Sequence, residues 1–232
     1  MSPLLPAGLA SVALSYLLCG IPFGLLIARR SPGHVDVRHV GSGNIGMTNV
    51  ARSAGALAGA ATLLCDAGKG FLAVSLSRLL LTGLAPVASA DLADPRSSMG
   101  WLLACVCVSC VLGHVFSPYL HLRGGKGISV GFGSALALWW PLALGVLLVF
   151  LVFAVPSRYV SLGSIAAALA LPLLAAAFGF HVPAVLLLAL ASGVVLWRHR
   201  ENAGRLLAGT ERRFTVHPGN PKEKSRGTKR RN

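Results

Sequence analysis

The sequence predicts an all-α integral membrane protein with seven transmembrane helices. Three observations predict it. Of 232 residues, 54% are hydrophobic and only 12% are charged, with a mean hydropathy of +0.70; a soluble domain carries about 25% charged residues. The apolar residues come in long runs, and a helix needs about 20 of them to cross a bilayer. The connections between runs alternate in charge, as the loops of a polytopic protein do.

The elements follow in chain order. Residues 4–28 form the first span, closed by Arg29 and Arg30. No basic flank precedes it and no small-residue cleavage site follows, so it reads as a retained span and not a secretory signal. Residues 53–85 form the second, interrupted by Asp66, Lys69 and Arg78. Residues 99–120 form the third. Residues 127–156 are too long for one helix and too short for two full ones; Trp139, Trp140 and Pro141 at the middle divide them into a short fourth and fifth. Residues 160–178 make the sixth and 182–197 the seventh, with a break over residues 179–183.

One set of loops carries Arg29, Arg30, Arg38 and Arg52, then Arg123 and Lys126, then Arg158, then Arg198, Arg200 and Arg205. The other carries Asp91, Asp94 and Arg96 and two turns almost without charge. Positive-inside logic puts the first set in the cytoplasm, the N-terminus outside and the C-terminus inside. Residues 1–214 read as a single membrane domain and 215–232 as a basic, disordered cytoplasmic tail able to touch anionic headgroups. The excess of 21 Lys plus Arg over 7 acids, with a pI near 10.9, is compatible with nucleic acid, anionic lipid or an anionic substrate. Its placement in membrane-flanking loops favours the last two over nucleic acid.

The cysteines, Cys19, Cys65, Cys105, Cys107 and Cys110, all lie in apolar segments, which argues against a disulfide framework. Cys107, Cys110 and His114 share a helix face, but no fourth ligand accompanies them, so they read as small helix residues and no metal is expected.

Four polar stretches fall on the predicted cytoplasmic side. The first is VGSGNIGMTNVAR, residues 40–52. Gly41, Gly43 and Gly46 let backbone N–H groups approach an anion. Ser42, Asn44, Thr48 and Asn49 add neutral donors, a helix starting nearby adds its positive end, and Arg52 adds a forked charge. The blander alternative is a Gly/Asn turn with hydroxyl caps. The second is RGGKG, residues 123–127, with Gly124, Gly125 and Lys126; it is not a Walker A loop, and alone it is compatible with a topology charge. The third is SRYVSLGS, residues 157–164, where Arg158 precedes Ser161 and Ser164 at a helix start; alone it reads as a cap with an interface arginine. The fourth is WRHRENAGRLLAGTE, residues 197–211. His199, Asn202 and Arg205 form a polar ridge there, or else a solvated helix in which Glu201 pairs with Arg205. Asp66 and Lys69, three residues apart within the second span, are either functional or a neutralising structural pair.

Several catalysts are missing. There is no G-x-S-x-G elbow, no H-E-x-x-H, no His-x4-Asp acyltransferase pattern and no carboxylate cluster. What remains is Arg, Lys, His, Asn, Ser and backbone dipoles, a set suited to binding anions and stabilising an oxyanion.

These residues resemble the bacterial acyl-phosphate:glycerol-3-phosphate acyltransferase family, the PlsY family. GSGNIGMTNVAR resembles its first motif, GHVFSPYLHLRGGKG its second, SRYVSLGS its third and HRENAGRLLAGTE its C-terminal segment; SYLLCGIPFGLLIAR resembles its first helix. The likeness extends to about residue 214. Met47 stands where Ala is usual, Gly20 where Ser is usual, and Ile128, Ser129 and Val130 where Val-Ala-Thr is usual.

The resemblance implies seven helices, a site at the cytoplasmic face of the bacterial inner membrane, and acyl phosphate and glycerol 3-phosphate as substrates. It also implies no cofactor and no covalent enzyme intermediate. By motif, it assigns functional roles to Ser42, Arg52, Lys126, Ser161 or Ser164, His199 and Asn202. The expected chemistry is direct acyl transfer, the first step of phospholipid synthesis. The competing class is a carrier of phosphorylated solutes, which would show internal repeats and midplane helix breaks; no repeat is visible.

Overall fold

A computed structural model describes residues 4–84, 90–91 and 94–214; the basic tail expected over 215–232 lies outside them. The described residues form helices and connecting turns, without strands. α1 (Leu4–Gly20) ends at Ile21-Pro22, and α2 (Phe23–Arg30) continues it after the break. Proline supplies no backbone N–H and obliges the preceding residue to leave the helical region. α3 (Met47–Ala54) is a short amphipathic helix, separated by Gly55 from α4 (Ala56–Leu84). α5 (Trp101–Val115) leads through a 3₁₀ turn (Pro118–Leu120) to α6 (Ile128–Leu138). Extended Trp139 separates α6 from α7 (Trp140–Ser157), followed by α8 (Val160–Ala177), α9 (Val182–Arg198) and α10 (Arg200–Leu207).

Five segments among the described residues are long and apolar enough to span: Leu4–Arg30, Ala56–Leu84, Trp101–Leu120, Trp140–Ser157 and Val160–Ala177. α9 joins α10 through a 57° bend and makes a sixth when the pair is counted together. The expected fourth span is α6, whose 11 residues rise only about 16 Å, roughly half a 30 Å hydrocarbon core. The protein is therefore a multi-pass membrane protein with five or six apolar spans and one shorter apolar helix among the described residues. Three boundaries differ from the sequence expectation. The first span is broken at Pro22, the second begins after α3 and not at Ser53, and the helix of the third stops at Val115.

Outer faces carry exposed large apolar residues, such as Leu64, Leu72 and Leu76 on α4 and Leu148, Val152 and Val155 on α7, as lipid contact requires. The inner contacts are close because they use small residues. A side chain at Gly70 of α4 would fall 2.3 Å from the Val130 carbonyl oxygen of α6, and one at Gly133 of α6 would fall 1.9 Å from that of Ala67. α4 packs most extensively on α6, α7 on α8, and α1 and α9 on α5.

Candidate functional site at one end of the helix bundle

The loop preceding α3 is wrapped around one side chain. Asn49 is buried, and its amide nitrogen donates to the carbonyls of Val37 (3.0 Å), Val40 (3.1 Å) and Asn44 (2.9 Å). Its amide oxygen accepts from the Ser42 N–H at 3.0 Å. The Asn44 side chain accepts from the Gly46 N–H at 2.7 Å. Gly41 and Gly43 take left-handed φ values of 64° and 68°. Asn44 and Asn49, expected to face an anion, thus spend their bonds shaping the loop. Ser42 stays exposed at its tip, Thr48 is half-buried in the first turn of α3, and Arg52 closes that helix.

The RGGKG loop is built differently. The Gly124 N–H donates to the Val115 carbonyl (2.9 Å) and the Gly125 N–H to that of His114 (3.0 Å). Both satisfy carbonyls left open by the end of α5. Their own carbonyls accept from Arg198, at 3.0 Å for Gly124 and 3.1 Å for Gly125. These N–H groups, expected to cradle phosphate, are therefore occupied. The glycines are required by contact: a Cβ at Gly125 would fall 2.1 Å from His114 Nε2. The loop's outward group is the Lys126 ammonium, which donates to Asn202 Oδ1 at 2.5 Å.

From Asn202 the bonds continue. Its Nδ2 donates to Glu211 Oε1 at 2.7 Å, and Arg205 Nε donates to Glu211 Oε2 at 2.7 Å. Arg205 thus pairs with Glu211, not with Glu201. The segment after α10 folds back across this end of the bundle. Arg52 donates to the carbonyls of Arg212 (3.3 Å) and Arg213 (3.2 Å), and the Phe214 N–H donates to the Arg158 carbonyl at 2.7 Å. All four polar stretches are joined by these bonds.

The two serines of α8 part company. Ser164 Oγ donates to the Val160 carbonyl at 2.8 Å and is spent inside the helix. Ser161 Oγ is buried with no partner in hydrogen-bond geometry, although it lies close enough to Glu211 to favour the ionised carboxylate. Arg158 has an exposed side chain, with a left-handed φ of 60°, and joins the others only through its carbonyl.

Burial sets the charges. It lowers Lys126 from its ordinary value to about 8, so the ammonium is mostly charged at neutral pH. It lowers His199 to about 4. The neutral ring donates from Nδ1 to the Val195 carbonyl (2.8 Å), leaving Nε2 as an acceptor. Burial would raise Glu211, but the nearby Ser161 hydroxyl and the bonds from Arg205 and Asn202 outweigh it and hold the carboxylate ionised. Among the described residues, Lys126, Arg205, Arg198 and Arg52 against Glu211 and Glu201 leave this end net cationic. Sequence reasoning missed Arg198, read as a topology charge, and Glu211; the signal for both was their place within the polar C-terminal stretch.

The chain is a multi-pass helical membrane protein with cationic and amide groups gathered at one end of the described helices. A family model described as glycerol-3-phosphate acyltransferase matches residues 9–209. A glycerol-3-phosphate acyltransferase of Rubrobacter xylanophilus is 42% identical over 208 residues, covering 90% of this chain and 96% of that protein. That of Dinoroseobacter shibae is 44% identical over 212 residues, covering 90% and 94%. The crystal structure of PlsY (YgiH), an integral membrane glycerol 3-phosphate acyltransferase, in its glycerol 3-phosphate form, matches with a TM-score of 0.77 at 34% identity, covering 90% of this chain and 96% of that one. Its lysophosphatidic acid form gives 0.75 at 32%, with the same coverage. The chain belongs to the glycerol-3-phosphate acyltransferase (PlsY) family and is an acyltransferase.

Proposed function

We propose that the protein transfers the acyl group of a long-chain acyl phosphate to the 1-hydroxyl of glycerol 3-phosphate at the cytoplasmic face of the inner membrane. The hydroxyl oxygen bonds to the acyl carbonyl carbon, the carbon–oxygen bond to phosphate breaks, and inorganic phosphate leaves with lysophosphatidate as the other product. The observation that carries this reading is the bonded series Lys126–Asn202–Glu211–Arg205, with Arg52 and the unpartnered Ser161 beside it. It offers donors for two phosphates, and phosphate is itself the leaving group. The solved relative's glycerol 3-phosphate and lysophosphatidic acid forms support the acceptor and the product. The positive-inside distribution of Arg and Lys supports the cytoplasmic placement.

Each group has a part in this scheme. Lys126, Arg52 and Arg205 neutralise phosphate charge; Asn202, Ser161, Ser42 and Thr48 orient it, and Gly41 and Gly43 hold Ser42 at the loop tip. Arg158 lies at the rim. His199 is held neutral with Nε2 open and positions the attacking hydroxyl. A group with a pKa of about 4 is a weaker proton acceptor than a phosphate monoester, whose second pKa is near 6, so the proton goes to substrate phosphate. Holding both reactants in line supplies up to ~7–11 kcal/mol of barrier reduction. The acyl tail has apolar surface beside the bilayer, in a groove of about 570 Å³ lined by Val12, Tyr16, Leu17, Val108, Leu112 and Leu187.

The test is the purified protein in lipid vesicles with acyl phosphate and glycerol 3-phosphate, following lysophosphatidate and free phosphate. Stoichiometric formation of both is expected. No product, or product from acyl-CoA alone, overturns the reading.

A further inference from the structure

We propose that Lys69, Asp66 and His114 form a buried positioning unit that ties the two glycine-rich loops together and so fixes how the two bound substrates meet. The inference rests on the two-substrate reading above.

None of the three reaches the polar end of the bundle. The side chains of Asp66 and Lys69 are each 2% exposed and that of His114 is 4%. Lys69 Nζ lies 2.8 Å from Asp66 Oδ1, donates to the Ile21 carbonyl at 2.7 Å, and bonds His114 Nδ1 at 3.1 Å. The ammonium bonds the Ile21 carbonyl and His114 Nδ1, and pairs with the Asp66 carboxylate as an ion, outside hydrogen-bond geometry. A buried pair needs only its two members to neutralise charge. Here the lysine's other two contacts lead to different parts of the chain, and each leads on to one of the loops.

The first route runs through His114. Because Nδ1 accepts from Lys69, the neutral ring carries its proton on Nε2. That atom lies directly beneath Gly125, where no Cβ fits, and the backbone carbonyl of His114 accepts the Gly125 N–H. The imidazole is thus the floor of the loop that carries Lys126. A tilt of the ring moves the loop, and Lys126 with it.

The second route runs through Ile21. Its carbonyl lies at the break between α1 and α2, where the helical acceptor pattern is interrupted. Lys69 fixes that break. One turn further, Gly24 of α2 touches the carbonyl of Ile45, where a Cβ would fall 1.8 Å away. Ile45 belongs to the loop that carries Ser42. A single ammonium therefore sets both loops from below, through Ile21 and His114, which lie 48 and 45 residues away in sequence. Transfer between two separately bound reactants depends on their relative placement, and an error near 1 Å costs about 10²-fold. Lys69, Asp66 and His114 touch neither substrate; they are positioning residues.

The experiment compares Lys69→Met with the double variant Asp66→Asn/Lys69→Met in the full-length protein in vesicles. Thermal stability, kcat and both KM values are read, with glycerol 3-phosphate binding measured separately by calorimetry. Lys69→Met strands a buried carboxylate and loses stability. The double variant has no stranded charge and regains that stability, but its tie to Ile21 and His114 is gone. Its kcat is expected to stay about 10²-fold low, with each KM and the calorimetric affinity within a few fold of the starting protein. Recovery of kcat along with stability overturns the inference, because the pair then serves only neutrality. So does a loss confined to KM, or a double variant that does not fold. Turnover by the unsubstituted protein in the same vesicles decides the two-substrate reading independently.

Discussion

Two lysines sit near the two ends of one arrangement, and their surroundings differ in one respect. Lys69 is closed in by two hydrogen bonds, to the Ile21 carbonyl and His114 Nδ1, and by an ion pair with the buried Asp66 carboxylate. Among the described residues Lys126 has one hydrogen bond, to an amide oxygen, and the charges around it are mixed: Glu211 foremost, then Arg205, Arg198 and Glu201. The first is enclosed, and its charge is paired with a buried carboxylate. The second keeps two donors free, and its charge is only partly compensated. Burial alone does not separate a structural cation from a binding one; unspent donors do.

Removing the open lysine gives the largest effect that comparison predicts. Lys126→Met is expected to lower kcat/KM by about 10³-fold, the scale of losing a charged donor at a developing negative centre. Its melting temperature should barely change. Lys69→Met should do the reverse in stability, losing about 3–5 kcal/mol by stranding Asp66. Paired kinetic and thermal-unfolding measurements check both. Equal stability losses in the two would end the distinction.

The glycines of the two loops offer the same comparison at the backbone. Gly125→Ala pushes a methyl into His114, with no room to give, and should cost about 10²-fold in kcat by displacing Lys126. Gly43→Ala has its nearest contact at 3.2 Å, from the Arg38 carbonyl, and mainly acquires the strain of a left-handed residue, about 1–2 kcal/mol. Activity within about tenfold of the unsubstituted protein is expected there, measured in the same assay.

The sequence showed the spans because lipid imposes length and apolarity on every one of them, and it showed the four polar stretches because nothing in a bilayer protein hides a dense group of donors. What it did not show was direction. Asn49 and Gly125 looked like ligand groups because their chemistry fits phosphate. Their bonds run inward, to the carbonyls of residues 37, 40 and 44 and to His114. Ser161 and Ser164 are three apart on one helix and equivalent by spacing, yet only Ser161 faces the returning segment. Glu211 was invisible as a partner because its role depends on that segment doubling back over α8 and α10, a long-range contact no local pattern encodes. The break at Pro22 was legible as a proline; its use as an anchor for Lys69 was not.

The depressed pKa of Lys126 adds a pH signature to the open lysine. Burial favours the neutral amine, so the ammonium charge is present below about pH 8 and is lost above it. In the proposed reaction both substrates' phosphates are already doubly ionised there, their second pKa lying near 6. kcat/KM should fall above pH 8, approaching tenfold per unit, while a Lys126→Arg variant keeps its charge and loses that alkaline limb. A pH–rate profile of both proteins checks this.

The smallest effect is the sharpest for the principle of unspent donors, since it compares identical side chains. Ser164→Ala removes a hydroxyl already bonded to the Val160 carbonyl of its own helix, a contact that stabilises little. Activity within about twofold is expected. Ser161→Ala removes a buried hydroxyl without a satisfied bond, next to the Glu211 carboxylate and the cations around it. Leaving a buried hydroxyl unsatisfied costs about 1–3 kcal/mol, a cost relieved when a phosphate oxygen accepts its proton. The substitution should therefore raise the KM for a phosphorylated substrate by roughly tenfold while leaving the empty protein at least as stable as before. If Ser164→Ala proves as damaging as Ser161→Ala, the face of α8 towards Glu211 is not the binding face, and the division between spent and unspent donors fails where the side chains are the same.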